Sequence, residues 1–447
     1  MYMKDFIHIP DIERQSAGVI KQFQEEKLVG QLAYLEQYSP FYQRLFQQHH
    51  IDVSKIRFLE DLQHIPVTTK EDLQRHNDDF LCVDRHRITD YITTSGTLGD
   101  PVTFAATDAD LERLAYNEAI SFLGAGCTSF DVFQLMTTID RRFMAGLAYF
   151  LGVRKMGAGM VRVGNGIPEL QLDSIRRFEP TVCIVVPSFL LKIIEHAESQ
   201  GFDLNQCSLR KAVCIGEPLR NSDHSLNTLG QHINRRWRTL SLHSTYASTE
   251  MGTSFTECVC GCGGHHHPEL IIVELLDDSG RQVAEGEQGE VTVTTLGVEG
   301  MPLLRFRTGD ICSYDTSPCA CGLTTLRLGM VIGRKQQMIK YKGTTLYPSA
   351  LYDILDNIAG VRNYFVEVYT NEIGTDEIRI RIGADCNDEA FEKTIKDHFR
   401  ARLRVAPKIS FEQPEHIHQL QNPQMSRKPV KFADKRTGQP HQNCTLF

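Results

Sequence analysis

The sequence predicts an α/β fold followed by a smaller α+β unit, on three observations. Between about 85 and 330, short apolar runs such as Val182-Cys183-Ile184-Val185-Val186 and Lys211-Ala212-Val213-Cys214-Ile215 alternate with helical stretches such as 188–199. That alternation is the pattern of strands buried under helices in a layered sheet. Next, Glu269–Glu274 and Glu290–Thr295, separated by the turn-rich Asp277-Asp278-Ser279-Gly280, read as strands of a β-rich end to the same unit. Beyond Gly333 the pattern resets to a helix near 349–358, strands near 363–369 and 376–382, a helix near 388–402 and a basic tail.

Taken from the start, residues 12–50 show helical spacing, with Leu28, Leu32 and Leu35 on one face and a break at Ser39-Pro40. A strand over Ile88–Ile92 leads into a Ser/Thr/Gly loop, and a helix begins near Asp108. The domain limits expected are 1–332 for the large unit, with a Cys/His cluster at 258–321, then 333–436 for the small one. Residues 437–447 are expected to be a flexible tail.

The 447 residues suit one large and one small domain, and 41% hydrophobic with 23% charged residues is ordinary globular usage. The net charge of −8 provides no global field for nucleic acid or anionic lipid. The longest apolar run, Thr181–Ile194, contains Pro187 and Lys192 and falls short of the ~20 residues of a membrane span. Met1-Tyr2-Met3-Lys4-Asp5 turns acidic at once, so no secretory leader and a cytoplasmic location are expected. Thirteen cysteines argue for reduced thiols or metal ligands. Cys82, Cys127, Cys183, Cys207, Cys214, Cys312, Cys386 and Cys444 stand singly and read as core fillers, whereas the others cluster near histidines.

Thr93-Thr94-Ser95-Gly96-Thr97-Leu98-Gly99 has the small hydroxyl and glycine residues that let backbone N–H groups converge on phosphate oxygens. It lacks the spacing of a Walker loop. Downstream stand Gly216-Glu217-Pro218, Tyr246-Ala247-Ser248-Thr249-Glu250, Arg305-Phe306-Arg307-Thr308-Gly309-Asp310, Gly333-Arg334 and Lys428. In this order and spacing the motifs resemble those of the adenylate-forming acyl-CoA ligases, most closely the phenylacetate–CoA ligase family. Ser39-Pro40-Phe41-Tyr42, Ile65-Pro66-Val67-Thr68-Thr69-Lys70-Glu71-Asp72-Leu73 and Pro187-Ser188-Phe189-Leu190-Leu191 are also similar to segments of that branch, so the resemblance covers nearly the whole chain.

The resemblance implies the adenylate-forming architecture, a large N-terminal α/β domain with a β-rich subdomain and a small mobile C-terminal α+β domain. It implies that Thr94, Ser95, Gly96, Thr97 and Gly99 hold the β- and γ-phosphates of ATP, and that Glu250 holds Mg²⁺ beside the α-phosphate. Gly216, Glu217, Pro218, Ala247, Ser248 and Thr249 complete the nucleotide site, with Tyr246 near adenine, Asp310 on the ribose hydroxyls and Arg334 on ribose or phosphate. Lys428, with Lys431 as the fallback, supplies the ammonium that stabilises the transferring phosphoryl group. The implied reaction joins a carboxylic acid, an aryl acid favoured, to coenzyme A through an acyl-adenylate, and a homodimer is implied. A carrier-protein thiol as acceptor, or a nucleotide sensor with reduced turnover, are the alternative readings.

Three departures from the family pattern stand out. Asp100-Pro101 replaces the usual Lys-Pro at the end of the phosphate loop, where an acidic residue would not assist triphosphate binding. Gln336 or Gln337 stands where the hinge aspartate is usual. Asp140-Arg141-Arg142 puts charge in a segment that lines the acyl side in relatives, as a surface loop or as an arginine for a polar acid. Residues 137–146 and 214–219 are the expected pocket walls.

Cys258-Val259-Cys260-Gly261-Cys262-Gly263-Gly264-His265-His266-His267 and Cys319-Ala320-Cys321-Gly322 form two thiolate-rich knuckles, which suit tetrahedral Zn²⁺. Comparison with part of the family would select Cys258, Cys319, Cys321 and one of His265 or His266, with counting back from Glu274 favouring His265. A closed structural site is expected, and His267 is expected to be a bystander.

Overall fold

The computed structural model describes residues 7–94, 102–342, 344–371, 374–422 and 430–436. The chain divides into two compact units, with the border between Val331 and Ile332.

In the large unit, helix α1 (Ala17–Tyr38) buries Leu28, Leu32 and Leu35, and Ser39 separates it from α2 (Pro40–Gln48). The break has a local cause. Pro40 cannot continue the hydrogen bonding of α1, and the Ser39 hydroxyl accepts from the Tyr42 N–H to start the next helix. A capping box of Thr69 and Asp72 opens α3 (Lys70–Arg75), and a second one, Thr107 with Asp110, opens α4 (Asp108–Gly124). The remaining helices of this unit are α5 (Met144–Met156), α6 (Pro168–Phe178), α7 (Pro187–Ser199) and α8 (Thr228–Arg236).

Strands β1 (Ile88–Thr93) and β2 (Thr103–Thr107) pair antiparallel, with Thr93 opposite Thr103. Then follow β3 (Val132–Leu135), β4 (Gly159–Arg162), β5 (Val182–Val185), β6 (Lys211–Ile215), β7 (Ser241–Ser248), β8 (Thr253–Glu257), β9 (Gly264–His265), β10 (Ile271–Leu276), β11 (Gly289–Thr295), β12 (Phe306–Cys312), β13 (Tyr314–Asp315) and β14 (Arg327–Leu328). A nine-stranded sheet runs β13-β14-β9-β8-β7-β6-β5-β3-β4. Its half from β4 to β7 is parallel and the rest antiparallel. All four residues of β5 are buried, because helices cover both faces of a parallel strand. β10, β11 and β12 form a separate antiparallel ladder. The strand expected at Glu269–Glu274 starts two residues later. The Leu270 and Ile271 N–H groups both donate to His267 O, and this turn delays entry to the ladder.

The small unit centres on two long antiparallel strands, Val361–Thr370 and Asp376–Ala384, flanked by parallel strands Lys408–Glu412 and Phe432–Asp434. Helices α9 (Pro348–Leu355), α10 (Glu389–Leu403) and α11 (Pro414–Gln421) complete it. Its own core includes Leu351, Val366, Ile380, Ile395 and Phe399. Among the described residues no helix is long and apolar enough to cross a membrane.

Candidate active site and metal cluster

In the parallel part of the sheet the strand order is β4-β3-β5-β6-β7, so the chain reverses its direction of winding beside β3. Ligands of open α/β sheets bind outside the carboxyl ends of the strands at such a point. The sequence-selected segments lie there: Thr137–Arg142 follows β3, Gly216-Glu217-Pro218 follows β6, and Tyr246–Glu250 spans the end of β7 and the turn after it. The base of the phosphate loop joins the same edge. The Thr93 N–H donates to Arg142 O, while the Thr94 N–H and hydroxyl oxygen pair with the carbonyl and N–H of Val102, at 2.9 and 3.1 Å. Ser95, Gly96, Thr97, Gly99 and Asp100 lie outside the described residues, as does Lys428.

The decisive contact joins β7 to β12. The Tyr246 hydroxyl donates to Asp310 Oδ2 at 2.9 Å, and its ring stacks on Phe255, the residue opposite it on β8. Burial first, then the Asp310 charge, raises the Tyr246 phenol well above its ordinary value, so it stays a donor. Gly309 at φ +79° turns the backbone where a side chain would be strained. Thr308 then anchors the turn, donating its hydroxyl to Val291 O and accepting from the Asp310 N–H. The result is a carboxylate fixed in position on a sheet edge.

Two other motif residues hold structure. Glu217 accepts from the Ser188 N–H and hydroxyl at 2.8 and 2.9 Å, and so caps the N-terminus of α7. Arg305, a non-glycine residue at φ +48°, makes a bidentate pair with Glu274 at 2.9 and 2.7 Å and donates to Ile65 O. Its carbonyl accepts from Thr68 and its N–H bonds Thr294, so the strained backbone beside the Thr-Gly-Asp turn is held from several sides.

In the small unit a Cβ on Gly333 would stand 2.4 Å from the Tyr347 ring, which explains glycine before Arg334. The turn after it, Lys335–Gln337, is tied by Arg436 donating to Gln336 O and Met338 O. Lys431 bonds the Tyr364 hydroxyl and lies over the Tyr352 and Tyr364 rings, a packing position within its own unit.

At the far end of β8, the ligand atoms of Cys258, His265, Cys319 and Cys321 all lie within 4.8 Å of one another. Cys258 and Cys319 sulfurs are 3.6 Å apart, and Cys321 Sγ is 3.6 Å from His265 Nε2. The edge of a zinc–thiolate tetrahedron with ~2.3 Å bonds is about 3.7 Å, so the donors stand at the spacing such an ion requires. His265 Nδ1 bonds Thr325 Oγ1 at 3.0 Å, which turns Nε2 toward the thiols. Burial first pushes the His265 ring down to about 3, keeping it neutral as a ligand must be. At Cys319 burial raises the thiol, but hydrogen bonds from the Cys321 N–H and neighbouring thiols outweigh it and bring it to about 7. His266 does not join. It lies just past β9, and its Nε2 meets Ile271 O and Gln24 instead.

Residues 41–299 match the AMP-binding enzyme family, and residues 343–436 match the AMP-binding enzyme C-terminal domain. Over 414 residues the chain is 30% identical to the phenylacetate–coenzyme A ligase of Thermus thermophilus, covering 90% of this chain and 92% of that one. The chain belongs to the phenylacetate–CoA ligase family of adenylate-forming enzymes. The Escherichia coli phenylacetate–coenzyme A ligase is 29% identical over 349 residues, 76% of this chain and 77% of its own. A solved 2-hydroxyisobutyryl-CoA ligase, in complex with an acyl-AMP, shares the fold with a TM-score of 0.83 over 97% of this chain and 95% of that one, at 20% identity. Family membership makes the chain an enzyme, an AMP-forming acid–CoA ligase.

Sequence reasoning placed Cys262 in the first knuckle without selecting it, and missed Arg220 and Glu257 beside it. Cys262 lies 3.6 Å from Cys319 and 2.9 Å from an Arg327 nitrogen, as a fourth thiol held on a cation beside the four donors. Arg220 pairs with Glu257 at 2.6 Å directly before Cys258, and a Cβ on Gly261 would clash with its guanidinium. His267 stays outside the thiolate cluster, as expected, and is buried against Glu13. Neither partner is local in sequence, so no spacing signal reports these pairs.

Proposed function

We propose that this family member activates an aromatic carboxylic acid with ATP and transfers the acyl group to coenzyme A. The observation that carries the nucleotide assignment is the Tyr246–Asp310 pair at the carboxyl edge of the sheet. Asp310 accepts from the ribose hydroxyls, and the Tyr246 hydroxyl orients that carboxylate. The N–H groups and hydroxyls of Thr94–Gly99 bind the β- and γ-phosphates, Glu250 holds Mg²⁺, and Arg334 meets ribose or phosphate. Glu217 contributes through the turn it anchors, since its carboxylate is engaged by Ser188.

In the first half-reaction an oxygen of the substrate carboxylate attacks the α-phosphorus and pyrophosphate leaves, giving acyl-AMP. Lys428 supplies the ammonium that stabilises charge on the α-phosphoryl oxygens. In the second, the thiol sulfur attacks the acyl carbon, the thiol proton is released and AMP departs. The aromatic class rests on the relatives' substrate. The Asp140-Arg141-Arg142 turn stands at the switch point after β3, where a more polar acid would be discriminated.

Cys258, His265, Cys319 and Cys321 would hold Zn²⁺ with four protein ligands, a structural clasp between the segment after β8 and the 319–325 loop. The test of the reading is acid-dependent ATP–pyrophosphate exchange over aryl, fatty and polar acids, with Lys428→Ala beside the wild type. Exchange with an aryl acid that the substitution abolishes supports it, and added coenzyme A must then yield the thioester. ATP binding with no exchange for any acid would overturn it.

A further inference from the structure

Cys262 touches the four-donor cluster without belonging to it. Its Sγ lies 3.6 Å from Cys319 Sγ, the same separation as Cys258 from Cys319 within the cluster. Arg327 holds it there, donating to the Cys262 carbonyl at 3.0 Å and to the sulfur at 2.9 Å. The guanidinium is itself anchored, because its other terminal nitrogen donates to Asp315 at 2.6 Å and to Ser317 O at 3.0 Å. Cys258 and Cys319 are buried, whereas Cys262 is partly exposed. Cys260 also stands outside the donor set. It is exposed, and among the described residues its sulfur meets no side-chain partner.

A pair that forms a disulfide needs two parts. An oxidant must reach one sulfur, and a second sulfur must stand close enough to displace the oxygen that the first has gained. Cys262 supplies the reachable sulfur, and Cys319 stands behind it as the resolving one. A disulfide bond is about 2 Å long, so the two sulfurs have only about 1.5 Å left to close. Cys319 cannot serve both bonds at full strength. Zinc binds the thiolate, and a sulfur in a disulfide no longer carries that charge.

We infer, resting on the zinc reading of the cluster, that Cys262 is an oxidation site that releases the metal by pairing with Cys319. The oxidant is a peroxide. The Cys262 sulfur attacks one oxygen of hydrogen peroxide, the O–O bond breaks, and the thiol becomes a sulfenic acid as one water leaves. The Cys319 thiolate then attacks the sulfenic sulfur, the S–O bond breaks, and the departing hydroxide takes a proton from solvent. Two electrons have passed from the two sulfurs to the peroxide. The ion keeps three protein ligands, and the clasp between the segment after β8 and the 319–325 loop opens.

The test follows zinc and disulfides on the full zinc-loaded chain treated with hydrogen peroxide. Release is read with a chromophoric chelator, and the disulfide formed at first release is mapped by peptide mass spectrometry. One zinc released per Cys262–Cys319 disulfide is expected, and a thiol reductant with added Zn²⁺ should restore the metal. Cys262→Ser is expected to bind zinc as the wild type does and to lose the release at the same peroxide dose, while Cys260→Ser keeps it. Release from Cys262→Ser as fast as from the wild type overturns the inference, as does a first disulfide that joins Cys319 to Cys258, Cys260 or Cys321. If the variant does not fold, the disulfide mapped in the wild type decides. A chain that holds no zinc before oxidation overturns the zinc reading, and the mapped disulfide then decides the thiol pair by itself.

Discussion

The two ends of one hairpin differ in how they are built. At the β7–β8 turn, Tyr246 and Asp310 present a carboxylate on the edge of a sheet, through one hydrogen bond and a glycine turn. At the other end of β8, four metal-type donors are brought together from segments on either side of β9 and held by buried partners such as Thr325 and the Arg220–Glu257 pair. The first arrangement orients a group for substrates that come and go. The second closes on itself, with four protein ligands and no position reserved for water. Function at the nucleotide edge should therefore fail without loss of fold, and at the cluster fold should fail before function.

The sharpest way to break that contrast is Lys428→Ala. Pyrophosphate exchange should fall by about 10²–10³-fold or more, the loss typical of one preorganised charge-stabilising donor, with an unchanged melting profile. Cys319→Ser should do the reverse. Removing a metal ligand belongs to the mechanisms that cost about 4 kcal/mol or more, read by thermal unfolding and by metal content. The KM for ATP at low temperature should stay near wild type. Metal loss without loss of thermal stability would overturn the structural role of the cluster.

Asp310→Asn comes next. Hydrogen bonds to a charged acceptor contribute about 1.5–3 kcal/mol, so kcat/KM for ATP should fall by about 10–150-fold while the acid's KM changes little. An unchanged kcat/KM would mean that the ribose is read elsewhere.

The contrast also explains what was legible in the sequence. The α/β alternation could be read because a parallel strand is apolar on both faces, as β5 and β6 are. The thiol cluster could be read because Cys-x-Cys spacing has few other uses. Counting back from Glu274 favours His265, and the folded chain brings its Nε2 within 3.6 Å of Cys321 Sγ, while His266, just past β9, meets Ile271 O. Arg305–Glu274 and Glu13–His267 were illegible because they join segments remote in sequence, and burial alone makes such pairs matter. The role of Glu217 was hidden for a related reason. Its motif marks the nucleotide edge, while its carboxylate meets the start of α7, which only the folded sheet brings within reach.

The smallest effects sharpen the comparison within the nucleotide edge itself. Tyr246→Phe removes one neutral donor from Asp310, worth about 1 kcal/mol, so kcat/KM for ATP should fall about fivefold with the fold intact. Glu217→Gln should show the opposite partition. Replacing a charged cap on two donors of α7 costs about 1 kcal/mol of stability, seen in denaturant unfolding, with kcat/KM for ATP close to wild type. Glu217 follows β6 and Tyr246 stands near the end of the neighbouring β7 at the same edge, so equal effects on catalysis would show that motif position, not hydrogen-bond partner, decides the role. If the effects divide as their partners do, a motif residue acts on substrate only where the fold leaves its side chain uncommitted.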